Sequence, residues 1–241
     1  MQLLYNSTLN LKNQKGGLEM TQEEKKILIL IGGASGTGKT TLAQVLEKKK
    51  IAYYQKFHDI SMKMAREIAD RKNFSIEYAL EKLNDRKVIK KMIETVKQKK
   101  CVVTDVHFAI QPRVDTFLLL GKIPLDKDFW EESYIPAFSL QYLTEIIHCG
   151  ILLVPILLVC ETDILIERLR IKHLQGFVVR SLNKEIIQQE KSAELQIYLS
   201  LVKELRLQPQ VFDNSGEFKN LEKRVTTFLR YTRLQKTALY I

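Results

Sequence analysis

Cysteine is scarce: Cys101, Cys149 and Cys160 are the only three, an odd count with no Cys-x-x-Cys spacing. Two of them sit in apolar, strand-like runs where a thiol packs as a small hydrophobe. A disulfide framework and a zinc site are therefore not expected, and a reducing, cytoplasmic setting is. No apolar run reaches membrane-spanning length, because the most apolar stretch, 150–160, is about half the ~20 residues a spanning helix needs and carries Pro155. It reads as a buried strand, and no membrane partner is expected. A basic start followed by an apolar run is missing at the N-terminus, so the chain does not read as carrying a secretory signal. Internal repeats, low-complexity segments and the aromatic-studded basic motif of an RNA-binding module are also missing, which makes nucleic acid a poor candidate partner.

What is present is the balance of a globular protein: 241 residues, 45% hydrophobic and 27% charged. The net charge of +10 favours anionic ligands. Phosphorylated small molecules, nucleic acid and a merely solvated basic surface all satisfy it. One main domain with a mobile insert is expected over 25–236, preceded by a flexible tail at 1–24 in which Met20 is an alternative start.

Ile27-Leu28-Ile29-Leu30-Ile31 is an uninterrupted apolar strand of the kind covered on both faces in a parallel sheet. Further strands are expected at 52–55, 101–105, within 152–160 and at 210–213. Helical patterns fall at 41–48, 60–69, 76–83, 88–99, 138–147, 164–171, 184–205 and 221–233. Strands alternating with helices predict a three-layer α/β/α fold around a parallel sheet, since parallel strands need crossover connections. The segment 111–132, with the lone Trp130, is expected to be an irregular surface loop anchored by that tryptophan.

Between the first strand and the first helix, Gly33-Ala34-Ser35-Gly36-Thr37-Gly38-Lys39-Thr40 fits the phosphate-loop pattern GxxxxGK[ST] at every fixed position. Glycines let the backbone bend so that amide N–H groups face phosphate oxygens, and the following helix, entered at Thr41, adds the positive end of its dipole. Lys39 is expected on the β- and γ-phosphates and the Thr40 hydroxyl on Mg2+, with ATP as phosphoryl donor. Cys101-Val102-Val103-Thr104-Asp105 is a strand ending in a carboxylate, where ligands collect in doubly wound sheets. Asp105 is thus a candidate for holding magnesium or facing the acceptor, and His107 a candidate acceptor contact. Arg66, three residues after Lys63 on one face of its helix, is a candidate grip for an acceptor phosphate.

These segments together resemble the nucleoside monophosphate kinases, the archaeal type of adenylate kinase most of all. The resemblance rests on the strand and phosphate loop, on Asp105-Val106-His107, on Tyr134-Ile135-Pro136 before a helix, on Val159 to Arg170, and on Phe212-Asp213-Asn214-Ser215-Gly216. It implies phosphoryl transfer from ATP to a nucleoside monophosphate, AMP first, with acceptor-binding helices at 57–100 and a short lid at 170–183. By the same resemblance Arg168 lies at the lid hinge against the adenine or the donor phosphates, Arg180 lies in the lid as a catalytic cation, and a trimer is a possible assembly. The chain departs from the pattern in four places: Ala137-Phe138-Ser139 stands for Gly-Leu-Pro, the acidic and arginine-rich lid pattern is thinned over 170–180, Gln188-Gln189-Glu190 stands for a paired glutamate and histidine, and Ala193-Glu194 for an asparagine-arginine pair. Two other readings stay open: a small-metabolite kinase on the same scaffold, and a low-turnover nucleotide-binding or RNA-associated switch protein.

Overall fold

The computed structural model describes residues 25–83, 85–121, 132–177, 179 and 181–234. The expected tail, Trp130 and Arg180 lie outside them.

The first strand, β1 (Lys26–Gly32), is central in a five-stranded parallel sheet. Its alternation decides what covers it. Leu28 and Leu30 enter one core cluster, while Ile27, Ile29 and Ile31 enter another on the opposite face. Successive side chains of a strand point to opposite faces, so an all-apolar strand calls for cover on both. On one side of β1 lie β3 (Cys101–Asp105) and then β2 (Tyr53–Tyr54); on the other lie β6 (Ile151–Val159) and then β7 (Val211–Asp213).

Two helices cover the isoleucine face: α1 (Lys39–Lys48) through Leu42 and Leu46, and α9 (Phe218–Leu234) through Leu221, Val225 and Leu229. The leucine face is covered by α4 (Asp85–Lys99), α6 (Leu140–His148) and α8 (Lys184–Glu204), through residues such as Met92, Ile146 and Val202. The outcome is the expected three-layer α/β/α arrangement. Between β2 and α4 come α2 (Phe57–Lys72) and α3 (Ile76–Glu81), which pack on each other through Ala65, Ala69 and Ala79. After β6 comes α7 (Thr162–Leu174).

A proline inside a central strand needs a reason, because it cannot donate to a ladder. The Leu157 N–H points toward β7 and donates to the Gln210 carbonyl at 2.9 Å. Pro155, two residues earlier, faces the same side, where pairing with β7 has not yet begun; that pairing starts at Leu157. The missing N–H is therefore not needed there. The fully buried Tyr198 of α8 fills the gap: its hydroxyl lies 3.2 Å from the Pro155 carbonyl and accepts from the Gln210 N–H at 2.5 Å.

The 111–132 segment corrects its sequence reading in part. Pro112–Leu119 forms a helix, α5, with Val114 fully buried, and the small antiparallel pair β4 (Ala109–Ile110) and β5 (Ile135–Pro136) closes the segment's base. Residues 122–131 lie outside the described ones. Phe138 falls just before α6 instead of inside it, buried edge-on against Phe57 with ring centroids 5.4 Å apart. Among the described residues no helix is long and apolar enough to cross a membrane.

Candidate functional site

The loop from β1 to α1 owes its shape to glycine at two positions. Gly33 has φ +134°, and a Cβ there would meet the Leu158 carbonyl oxygen at 2.3 Å. Gly38, the residue before the first turn of α1, has φ +95°, and a Cβ would meet the Asn214 Nδ2 at 2.7 Å. Both conformations are poor for any side chain, and both neighbours crowd in because the loop is folded tightly over the strand ends. That same Asn214 Nδ2 donates to the Thr37 carbonyl at 2.8 Å, tying the loop after β7 to the phosphate loop.

Within the loop the residues divide. Ser35, Gly36, Gly38, Lys39, Thr40 and Thr41 line an open cleft of about 380 Å³. Ala34 and Thr37 are buried beneath it, where the Thr37 N–H and hydroxyl both donate to the Ala34 carbonyl, at 3.2 and 2.8 Å. These two residues shape the loop from below, and the others face the open cleft.

Lys39 keeps part of its side chain at the surface, but its ammonium end lies inside the loop, donating to the carbonyls of Gly33 at 2.5 Å and Ala34 at 3.1 Å. Burial pushes its pKa down, against the pull of Glu194, Glu190 and Asp105. The hydroxyl of Thr40 donates to Asp105 Oδ2 at 2.5 Å, and the Tyr54 hydroxyl donates to Asp105 Oδ1 at 2.8 Å. The Tyr54 phenol is pushed well above its ordinary pKa, by burial first and by this bond second. Two strand ends, β2 and β3, thus converge with the first turn of α1 on one carboxylate. Its oxygens and the Thr40 hydroxyl form an all-oxygen donor set at the mouth of the phosphate loop, which suits a hard divalent cation completed by water and phosphate oxygens.

His107 stands next to this group: its Nε2 is 3.4 Å from the Lys39 Nζ and its Nδ1 is 2.7 Å from Glu194 Oε1. Glu194 also accepts from the Phe108 N–H at 2.9 Å through its second oxygen. One turn earlier on α8, Glu190 accepts from both the N–H and the hydroxyl of Ser35, each at 2.9 Å. Both glutamates are only 1% exposed. Two carboxylates buried so deeply persist because each is hydrogen-bonded and faces the Lys39 ammonium. Sequence reading treated 188–194 as a lost motif. The signal that was available is spacing: two glutamates four apart on a helix share a face.

Of the other expected residues, Arg168 is brought to the loop after β7, donating to the Asn214 carbonyl at 2.9 Å and reaching Cys160 Sγ at 3.5 Å. Burial pushes the Cys160 thiol up, with the Arg168 guanidinium opposing. Arg66 is exposed and is not on the cleft wall; it comes close enough to His58 to help lower that imidazole's pKa, after burial and Lys56. Arg170 is exposed and off the wall as well. Lys172, one turn after Arg168, does line the cleft, facing Lys39.

A phosphate loop between the central strand and first helix of an all-parallel sheet, with a strand-end aspartate beside it, defines an α/β fold of the P-loop class. Solved structures run along most of the chain. A gluconokinase from Sinorhizobium meliloti 1021 is similar over 87% of this chain and 94% of its own, at 13% identity and a TM-score of 0.45. A shikimate kinase from Acinetobacter baumannii in complex with shikimate is similar over 88% and 97%, at 13% identity and a TM-score of 0.44. A shikimate kinase from Bacteroides thetaiotaomicron is similar over 85% and 98%, at 13% identity and a TM-score of 0.39. No protein-family model and no curated protein matches the sequence.

Proposed function

We propose that the protein is an ATP- and magnesium-dependent phosphotransferase acting on a small acceptor held in the cleft between the phosphate loop and α2. One observation carries this reading: Lys39, the Thr40–Asp105 pair and His107 open on the same cleft, so groups suited to the donor's phosphates and to an incoming acceptor share one chamber. A phosphate-binding switch has no need of the second set.

The chemistry asks for positioning and charge compensation. Loop amides and the N-terminus of α1 hold the donor phosphates, and Lys39 turns from the Gly33 and Ala34 carbonyls to the phosphate oxygens. Thr40 and Asp105 would hold Mg2+, which when bound neutralises charge on the β- and γ-phosphates. Tyr54 fixes the Asp105 carboxylate. An acceptor oxygen bonds to the γ-phosphorus as the bond to the β-bridging oxygen breaks, leaving ADP. Lys172 and Lys56, both lining the cleft, supply further positive charge. Arg180 is proposed to add to it from the lid.

Two acceptor classes are supported by different observations. The nucleoside monophosphate reading, AMP first, draws on the resemblance and on Arg66 near His58. A small-metabolite reading draws on His107, whose ring offers a hydrogen-bonding nitrogen at the point of transfer. A coupled assay of ADP release against a panel of nucleoside monophosphates, hydroxy acids and polyols tests both. ADP must exceed the ATP-alone background with at least one acceptor and collapse with Lys39→Ala. A flat response across the panel, with ATP and Mg2+ shown to bind by calorimetry, ends the proposal.

A further inference from the structure

We propose that a second cavity, behind the phosphate loop, is a regulatory site for a small apolar amine, and that filling it tightens ATP binding. This goes beyond the phosphotransferase reading and needs from it only that the loop binds ATP.

Two cavities meet the loop from opposite sides. The cleft already described is lined by Ser35, Gly36 and the residues from Gly38 to Thr41. The second is lined by Ala34 and Thr37, the pair beneath the loop, and the two share no lining residue among the described ones. Its volume, about 440 Å³ against the cleft's 380 Å³, is in the range of small-molecule sites. Leu157, Leu158 and Val159 at the end of β6 and Leu195 of α8 give it apolar walls. Arg168, which the resemblance sets against the adenine, does not line it, so the cavity is not the base end of the donor site.

The polar groups at its mouth select the charge of the occupant. Glu161 and Asp213 are both exposed there, and Ser215 ties the two residues together: its hydroxyl accepts from the Glu161 N–H at 2.9 Å and donates to Asp213 Oδ1 at 2.6 Å. Among the described residues Lys191 is the one cation lining the cavity, and its ammonium is turned to the Thr162 hydroxyl at 2.8 Å. In a chain of net charge +10 this reverses the local sign, since the cleft is lined by Lys39, Lys56 and Lys172. An alkylamine, protonated near neutral pH, finds carboxylates for its head and leucines for its body. The inner wall supplies the coupling. The Ala34 carbonyl accepts from the Thr37 N–H and hydroxyl and from Lys39 Nζ, while the Thr37 carbonyl accepts from Asn214 Nδ2. A molecule packed against Ala34 and Thr37 therefore holds the loop in its present shape and lowers the ordering that ATP must bring about. Positive charge behind the loop also attracts the triphosphate. The two effects have the same sign, and linkage requires ATP to tighten the amine by the same factor.

Tryptamine is the probe, and indole-3-acetate is its charge-reversed twin, each titrated into the full chain. Saturation-transfer NMR should show saturable tryptamine binding with a Kd of about a millimolar, the scale ligand efficiency allows for so small a molecule, and no binding of indole-3-acetate. With tryptamine saturating, the ATP Kd measured by calorimetry with Mg2+ should fall about fivefold or more. Ser192 is exposed on α8 and lines the cavity, so Ser192→Trp plugs it and should abolish both tryptamine binding and the coupling, with circular dichroism unchanged. Glu161→Gln combined with Asp213→Asn keeps the side-chain shapes and should weaken tryptamine several-fold. The proposal is overturned if tryptamine does not bind, if indole-3-acetate binds as well, if binding survives Ser192→Trp in the folded protein, or if saturating tryptamine leaves the ATP Kd unmoved. None of these results touches the phosphotransferase reading. A wild-type chain that binds no ATP with tryptamine absent overturns that reading, and the coupling falls with it.

Discussion

The two walls of the cleft are built on different plans. The wall proposed for the donor is mostly main chain: a loop of bent peptides, locked by glycines at Gly33 and Gly38 and opening on the first turn of a helix. The wall proposed for the acceptor is made of side chains drawn from far apart, with Lys56 and His58 at the start of α2, His107 after β3 and Lys172 at the end of α7. A main-chain wall recognises what all nucleoside triphosphates share, whereas a side-chain wall can be rewritten without disturbing the fold. On the proposed function, general chemistry sits on the first and specificity on the second.

Lys39→Ala should test this contrast most severely. Removing the cation that both walls share is expected to reduce acceptor-dependent ADP release by on the order of 10²-fold or more, measured at saturating ATP. Gly38→Ala comes next and strikes the donor wall alone. With a Cβ placed 2.7 Å from Asn214 Nδ2 and φ at +95°, the loop must shift, and ATP affinity by calorimetry should fall about tenfold while circular dichroism is unchanged. Equal loss of acceptor affinity would break the proposed division.

Tyr198→Phe leaves both walls intact and removes the hydroxyl that bridges Pro155 and Gln210, so it separates scaffold from site. Denaturant unfolding should show about 1–3 kcal/mol lost with kcat preserved. Burial raises the Tyr198 pKa to about 12 from an ordinary 10.0. A raised pKa means that the stabilisation is complete below about pH 10, where the unfolded phenol is still protonated, and is lost as pH rises toward about 12. The wild-type protein should show that alkaline loss and the phenylalanine variant should lack this part of it. Arg66→Ala is expected to do least: a rise of a few-fold in acceptor KM with ATP affinity unchanged, because Arg66 is exposed and off the wall.

The contrast also explains what could be read from the chain directly. β1, β3 and β6 announce themselves through apolar runs, and the phosphate loop through fixed spacing, because their physics is local. The Thr40–Asp105 bond was foreseen only as two residues bound for one cation, from the rule that strand ends gather ligands. The pairing of His107 with Glu194 spans 87 positions, and nothing local in either residue specifies it. Glu190 and Glu194 look like surface charges of a long helix until the helix is laid against the loop. β4, β5 and α5 escaped notice, because 111–132 reads as an irregular loop and Ile135-Pro136 only as the approach to a helix.

The bond from Asn214 to the Thr37 carbonyl joins residues 177 positions apart. A ribosome must therefore make nearly the whole chain before the phosphate loop can take its final form. Because β1 can pair on one side only after β3 emerges and on the other only after β6, the chain's first strand is among the last to be completed. Such long-range closure makes for slow assembly and an exposed, sticky β1 meanwhile, so ATP is expected to act late, as a ligand that captures the finished loop and not as a template that guides it.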